Sequence, residues 1–248
     1  MTTKKAFEPR KSKGKLKPTA TELHIYNNSN VCLTDSKGYP TPKNRSPFEI
    51  VLDASEGFIP LWSQNEVLRW RFNADSLLYF EKPEVAKNAI RDLLREALLK
   101  WGDAAPIKFN EQDDAWDFEI AVRNSDNCSP YGCTLASAFF PDSGRHTLVI
   151  YPKMFTQSKK EQIDTLIHET GHIFGLRHFF AKIDETKWPS EIYGKHNPFS
   201  IMNYGEKSEL TEDDKSDLKS LYEKVWSGGL KNINGTPIVL VKPYHQLL

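Results

Sequence analysis

The sequence lacks a net charge, an apolar run long enough to span a membrane, and any internal repeat. Lysine plus arginine and aspartate plus glutamate number 33 each, so neither a nucleic-acid partner nor the attraction of acidic substrates is expected. Without an apolar stretch of about 20 residues, no transmembrane helix is predicted. The 248 residues, 39% hydrophobic and 27% charged, fit one globular domain with flanking extensions.

The N-terminus also lacks the apolar segment of a classical signal peptide. A leader that has been removed, export by another route and a cytoplasmic location therefore all stay open. The three cysteines do not decide between these compartments. Cys128 and Cys133 flank a short turn and would pair in an oxidising environment, but two reduced thiols fit the sequence equally well. Cys32 is the third.

The stretch from His168 to His178 reads H-E-T-G-H-I-F-G-L-R-H. His168 and His172 are four residues apart, so on an α-helix both imidazoles project from one face and can bind one Zn²⁺. Glu169 can reach a water on the metal without taking a ligand position. Gly175 can adopt the left-handed geometry that ends a helix, which lets His178 return as a third ligand. Three nitrogen ligands leave a fourth position for water, as at a catalytic zinc.

This stretch resembles the signature of the metzincin zinc peptidases. The resemblance implies a second element, a tight turn with a methionine under the zinc. The sequence S-I-M-N-Y-G at residues 200–205 looks like this Met-turn and contains Met202. In the astacin-like and serralysin-like branches, the tyrosine two residues later binds the metal and moves toward the substrate, so Tyr204 takes that role by resemblance. Taken alone, Met202 fits a core position and Tyr204 an ordinary half-buried aromatic.

The function implied by the resemblance is that of a zinc-dependent endopeptidase with one catalytic ion and a protein or peptide substrate. Zinc would lower the pKa of its water to about 7, and Glu169 would act as general base and then as general acid. Tyr204 would donate a hydrogen bond to the oxyanion. Two alternatives stay open, a non-catalytic zincin that binds or inhibits a partner and a toxin-like protease that is selective for one target.

The resemblance also predicts an α/β (α+β) fold, with a twisted, five-stranded, mostly parallel sheet, a backing helix, an active helix, and a small C-terminal subdomain. That subdomain would hold the Met-turn and a closing helix. Apolar residues at helical spacing predict the backing helix from Pro83 to the residue before Gly102. The active helix is predicted over residues 157–174, and the closing helix begins after Thr211, its N-cap. Strands are predicted at residues 48–52, 67–72, 77–80, 107–109, 118–122 and 146–151.

A substrate-binding edge strand is predicted at Leu135, Ala136, Ser137 and Ala138, because this run resembles the matrixin segment that pairs with substrate. An exposed edge offers unpaired backbone groups to an extended peptide. An interior strand without a ligand is the alternative. Matrixins place several His and Asp residues here for structural zinc and Ca²⁺, whereas this chain has only His146. No second structural zinc is therefore expected, and Ca²⁺ has no support.

Four segments are predicted. Residues 1–21 form a disordered basic tail, 22–65 an N-terminal extension and candidate pro-segment, 66–226 the catalytic domain, and 227–248 an extension with a hairpin at Asn234-Gly235. Many metzincin pro-segments block the zinc with a Cys or Asp. Cys32 is the candidate latency switch, although its neighbours do not match the matrixin cysteine-switch motif, and Asp35 or Asp53 would serve equally. The chain is expected to be a monomer.

Overall fold

The structure is a computed structural model that describes residues 6–9, 50–54, 57–129, 132–178, 190–193, 200–202 and 208–248. In chain order, its strands are β1 (Ile50–Asp53), β2 (Ile59–Trp62), β3 (Val67–Phe72), β4 (Lys108–Glu111), β5 (Phe118–Val122), β6 (Asn127–Ser129), β7 (Gly132–Thr134), β8 (Ala136–Ser137), β9 (His146–Ile150), β10 (Leu176–Arg177), β11 (Ser190–Tyr193), β12 (Asn232–Ile233) and β13 (Thr236–Val241). The α-helices are α1 (Ala74–Leu77), α2 (Pro83–Trp101), α3 (Lys159–Ile173) and α4 (Glu212–Trp226).

The main sheet has five strands in the order β4-β3-β5-β9-β8. Neighbouring strands are parallel except for β8, which runs antiparallel to β9 at one edge. Alternate residues of β5 are buried, and the ring of Phe118 contacts Phe109 and Phe139. The predicted five-stranded, mostly parallel sheet is therefore confirmed.

The three long helices occupy the predicted places. Helix α2 is the backing helix, which has Pro83 in its first turn and is followed by Gly102 at φ 58°. Helix α3 is the active helix, and the Ser158 side chain caps it by accepting from the amide of Glu161. Helix α4 is the closing helix and begins after Thr211. Trp101 of α2 joins the first two of these helices, because its Nε1 donates to side-chain and backbone oxygens of α3.

The strand predicted at residues 77–80 is wrong. The chain there ends the short helix α1, which begins after Asn73. The Asn73 side chain accepts from the amide of Ser76 at 3.0 Å, and this N-cap decides the local conformation. Leu77 and Phe80 are both buried, so the apolar pattern correctly marked core residues but not their secondary structure.

Strands of the N-terminal extension pair both with the central part of the chain and with the C-terminal extension. Strand β1 lies between β10 and β11 and is antiparallel to both. Strand β2 pairs in parallel with β13. The hairpin between β12 and β13 turns at Asn234 and Gly235, which both have positive φ, as the sequence predicted.

The four described residues of the N-terminal tail pack on the domain. The ring of Phe7 stacks on Phe155 with 4.0 Å between centroids and also contacts Phe80. The backbone oxygen of Glu8 accepts from the amide of Glu81 at 2.9 Å. The prediction of a disordered tail is therefore wrong for residues 6–9, because Phe7 finds an aromatic site that its basic neighbours in sequence do not indicate.

Strands β6 and β7 form a hairpin in which Cys128 and Cys133 face each other and are joined by a disulfide. The structure thus selects the paired state from the two that the sequence allowed. None of the helices in the described ranges is long and apolar enough to cross a membrane.

Candidate metal centre

The three histidines of the motif converge at the C-terminal end of α3. His168 and His172 lie one turn apart on the helix, and His178 follows strand β10. The Nε2 of His168 is 3.0 Å from that of His178 and 3.1 Å from that of His172, and the third Nε2 pair is 3.2 Å apart. Within the described part of the chain, these histidines form the one cluster of three or more metal-ligating side chains. With Glu169 they are called the metal centre below.

Two of the three rings are oriented by backbone oxygens. Nδ1 of His168 lies 2.7 Å from the carbonyl oxygen of Ile201, and Nδ1 of His172 lies 2.7 Å from that of Leu176. A carbonyl oxygen only accepts, so each Nδ1 carries the proton and donates it. The neutral tautomer then leaves the lone pair on Nε2, which is the arrangement that metal ligands adopt.

Burial keeps these imidazoles neutral. It lowers the pKa of His168 to about 4. Burial is also the main cause that lowers the pKa of His172 and of His178 well below 6.5, and the positive charge of Arg177 adds to the effect in both rings. At neutral pH the three Nε2 atoms are therefore unprotonated and able to bind a cation.

Glu169 directly follows the first histidine and is buried in α3. It therefore lies in the same helical turn as His168 and His172. The ring of Phe140, from the segment after β8, contacts the His172 ring at 5.5 Å between centroids. The site thus combines three nitrogen donors, one carboxylate and an apolar wall.

The end of α3 is the predicted helix-ending turn. Gly175 has φ 94°, and its amide donates to the carbonyl of His172 at 2.8 Å. A Cβ at this position would lie 3.1 Å from the Leu61 side chain, so the close approach also favours glycine.

Two carbonyls at this helix end receive side-chain donors from distant elements. Trp62 Nε1 of β2 donates to Ile173 at 2.7 Å, and the Tyr222 hydroxyl of α4 donates to Phe174 at 3.1 Å. The last carbonyls of a helix have no hydrogen-bond donors inside the helix, so these two side chains supply the hydrogen bonds that water would otherwise make. The sequence does not indicate these roles, because no local pattern links the two donors to α3.

Met202 lies beneath the helix, as the resemblance to a Met-turn predicted. Its side chain is fully buried, and a Cβ on Gly171 would lie only 2.5 Å from its sulfur. Gly171 therefore allows the methionine to pack directly against the helix between His168 and His172.

The turn before Met202 is tied to the closing helix. The Ser200 hydroxyl donates to Asp214 at 2.6 Å and accepts from the amide of Met202 at 3.1 Å. Asp214 also accepts from the amide and hydroxyl of Thr211, which completes a capping box. The sequence predicts Thr211 as the N-cap, but it does not indicate the hydrogen bond that Ser200 donates to Asp214.

The predicted substrate strand lies at an edge of the main sheet. Ala136 and Ser137 form β8, the last strand in the described order, and pair with β9. Leu135 and Ala138 flank this strand and are buried. The paired strand is therefore two residues long instead of the four predicted, and it lies at an edge of the sheet.

Several predicted residues lie outside the described residues. They are Tyr204, Cys32 and Asp35. For Asp53 the backbone pairs in β1, and its side chain is not described.

Residues 61–223 match the matrixin family of peptidases. The chain belongs to the matrixin family. The matrixin match spans the histidine motif and the Met202 turn, so the metzincin resemblance is confirmed at the level of the family.

Two curated relatives carry peptidase names. Metalloendoproteinase 4-MMP of Arabidopsis thaliana is 27% identical over 179 residues, which cover 66% of this chain and 48% of the relative. Matrix metalloproteinase-25 of Homo sapiens is 28% identical over 185 residues, which cover 66% of this chain and 30% of the relative. This matrixin therefore spans about half or less of the length of these relatives. Among solved structures, the crystal structure of myroilysin aligns at a TM-score of 0.48 with 15% identity, over 87% of this chain and 98% of that one.

Proposed function

We propose that the chain is a zinc-dependent endopeptidase whose metal is held by Nε2 of His168, His172 and His178. The observation that carries the proposal is the convergence of these three neutral, buried nitrogens within 3.0 to 3.2 Å of one another. Nitrogens bound tetrahedrally to zinc at ~2.0–2.1 Å lie roughly 3.3 Å apart, which is close to this spacing. Three imidazoles are also a typical ligand set of catalytic zinc sites.

When bound there, Zn²⁺ supplies a Lewis acid that lowers the pKa of water to about 7 and polarises the scissile carbonyl. The Glu169 carboxylate takes one proton from the attacking water as its oxygen adds to the carbonyl carbon. Glu169 then delivers that proton to the amide nitrogen as the carbon–nitrogen bond breaks, so it ends the cycle ionised. Its place next to His168, in the buried C-terminal half of α3, supports this role.

The substrate is proposed to bind along β8. An extended peptide can use the backbone groups at this sheet edge as an additional strand, which requires little of its side chains. Phe140 follows the strand and contacts the His172 ring, so a peptide on β8 lies beside the metal centre. The Tyr204 hydroxyl is proposed to donate a hydrogen bond to the oxyanion.

The test is metal analysis by mass spectrometry together with cleavage of a broad peptide library. The wild type is compared with Glu169→Gln, which keeps the size of the side chain, with Glu169→Ala, and with Glu161→Gln as a matched control at the other end of the helix. We expect one zinc per chain in every protein. Cleavage by both Glu169 variants is expected to fall about 100- to 10,000-fold, as for the loss of a general base, and Glu161→Gln should cleave like the wild type.

Cleavage by Glu169→Gln at the wild-type rate would refute the general-base role. One zinc per chain without cleavage in any of the proteins would refute a broadly acting peptidase. It would favour the non-catalytic module or the protease with a single target.

A further inference from the structure

Strand β1 precedes the residues that match the family, yet it pairs with the strand that leads into the third histidine. In the antiparallel register, Val51 lies opposite Arg177, and Leu52 lies opposite Leu176. His178 follows β10 directly. The other edge of β1 pairs with all four residues of β11. A segment outside the matched region therefore forms the central strand of the sheet beside the metal centre.

Strand β10 positions two of the three histidines. The carbonyl oxygen of Leu176 accepts from Nδ1 of His172 at 2.7 Å, and the chain continues from Arg177 into His178. All three residues from 176 to 178 are buried. A displacement of this short strand would therefore move the acceptor of one ring and the backbone of another.

Two residues alone do not form a stable strand, and buried backbone groups need partners. Among the described strands, β10 has one neighbour in its sheet, which is β1. Leu52 of β1 is 0% exposed and Ala54 just after it is 2% exposed, so β1 is itself held by the core. The support of β10 thus comes from a strand that the core anchors.

We propose that β1 is a positioning element of the metal centre. Its pairing with β10 holds Nε2 of His172 and His178 in the arrangement that zinc requires. The proposal rests on the proposed zinc site. Residues 50–53 are then a permanent part of the folded enzyme, and removing them lowers zinc affinity instead of activating a latent form.

Hydrogen exchange in the full chain tests this coupling without any substitution. A coupling free energy is reciprocal, so zinc must stabilise the pairing of β1 if that pairing favours zinc binding. We expect zinc to slow amide exchange about 10-fold or more in residues 50–53 and in residues 176–178 together. The amides of β3, which pairs only with β4 and β5 in the described order, serve as the internal control and should change much less.

Two results would overturn the positioning role. In the first, zinc slows exchange in residues 176–178 and leaves residues 50–53 unchanged. In the second, zinc slows β3 as much as β1, which would show that it acts only on global unfolding.

A pair of matched substitutions gives a second readout, zinc affinity in competition with a chelator. Leu52 in β1 and Leu68 in β3 are both almost fully buried, so truncation to alanine removes the same atoms from two places in the core. We expect Leu52→Ala to weaken zinc binding about 10-fold and Leu68→Ala to weaken it less than about 3-fold. Equal affinities would contradict the proposal. If an alanine variant does not fold, Leu52→Val and Leu68→Val are compared, with the same order expected.

Failure of this inference is distinguishable from failure of the proposed function. Zinc-coupled protection of β1 in a protein that cleaves no peptide would refute the peptidase and leave the positioning role intact. Cleavage at the full rate, with amide exchange in β1 unchanged by zinc, would support the peptidase and refute the positioning role.

Discussion

At the scale of single residues, Gly171 beside the metal centre has no space for a larger side chain. A Cβ there would meet the Met202 sulfur at 2.5 Å and the Trp101 ring at 3.5 Å, and both side chains are fully buried. The methionine must therefore move if this glycine gains a methyl group. Since Met202 follows the Ile201 carbonyl that orients His168, the displacement reaches one of the three clustered histidines.

Gly171→Ala is expected to lower the free energy of unfolding by about 1–3 kcal/mol, the usual cost of overpacking a core. Zinc affinity should fall with it. Gly144→Ala is the control, because a Cβ at Gly144 would have only ordinary contacts at 3.6 Å. Urea unfolding and chelator competition on both variants make the test, and equal stabilities of the two would contradict the packing argument.

Ser200→Ala removes a buried hydroxyl that bonds to both Asp214 and the amide of Met202. The expected loss of stability is about 1–3 kcal/mol, because two buried polar groups each lose a partner. Ser227→Ala, which loses only an exposed bond to a backbone carbonyl, is the matched control. Chemical denaturation measures both, and a Ser200→Ala protein as stable as the control would argue against the network.

The residues that the sequence could predict are those whose roles follow from short spacings. His168, Glu169 and His172 share one helix, and Gly175 and His178 follow within a few residues, so local geometry brings them together. The acceptors that orient the rings are backbone carbonyls, which leave no mark in a sequence. The bond from Ser200 to Asp214 depends on how a turn meets a helix, and no residue pattern encodes that meeting.

At the scale of elements, the end of the active helix depends on β2 and α4. The Tyr222 hydroxyl accepts from the amide of Trp62 at 3.3 Å and donates to Phe174, so one buried group joins a strand, a helix end and the closing helix. Burial also raises the pKa of Tyr222 far above 10, and the phenol stays protonated as the donor that this arrangement needs.

Tyr222→Phe is expected to cost about 1–3 kcal/mol of unfolding free energy, since two buried backbone groups lose a partner. Tyr244→Phe, at a half-buried position near the end of the sequence, should change stability by less than about 0.5 kcal/mol. Thermal and urea unfolding of the two variants decide the matter. Similar losses in both would show that the buried hydroxyl contributes little.

Elements with a strong internal pattern could be predicted, whereas pairings between distant segments could not. Apolar spacing with Pro83 and Gly102 defined α2, and Asn234-Gly235 defined the last hairpin. The apolar run at residues 77–80 is too short for its spacing to distinguish a strand from a helix. The N-cap at Asn73 determines its conformation. The pairing of β1 with β10 depends on the complete tertiary structure, and the sequence of this segment alone predicts only a candidate pro-segment.

At the scale of the whole molecule, the metal-free protein is expected to lose stability in mild acid. Unfolded imidazoles titrate near 6.5, whereas burial lowers the pKa of folded His168 to about 4. Between these values the unfolded state binds more protons, so the free energy of unfolding falls as the pH falls. From pH 7 to pH 5 the loss is at most about 2 kcal/mol for each of the three buried histidines.

Urea unfolding with a chelator present, at several pH values between 7 and 5, measures this slope. In the His168→Gln variant, the free energy of unfolding that is lost between pH 7 and pH 5 is expected to be smaller by about 2 kcal/mol, because one imidazole with a lowered pKa is absent. An equal slope in the variant would mean that His168 titrates normally in the folded, metal-free protein.

The parallel pairing of β2 with β13 has a consequence for synthesis on the ribosome. β2 carries Trp62, the donor to the end of the active helix, but β13 is made after all the other described strands. The chain therefore emerges with β2 unpaired while nearly all of the matched domain is translated. Contacts so far apart in sequence form slowly, and exposed strands in that interval favour aggregation. A nascent chain stalled before β13 should be open to digestion at β2, and the end of the α3 helix should become stable only after β13 has emerged and paired.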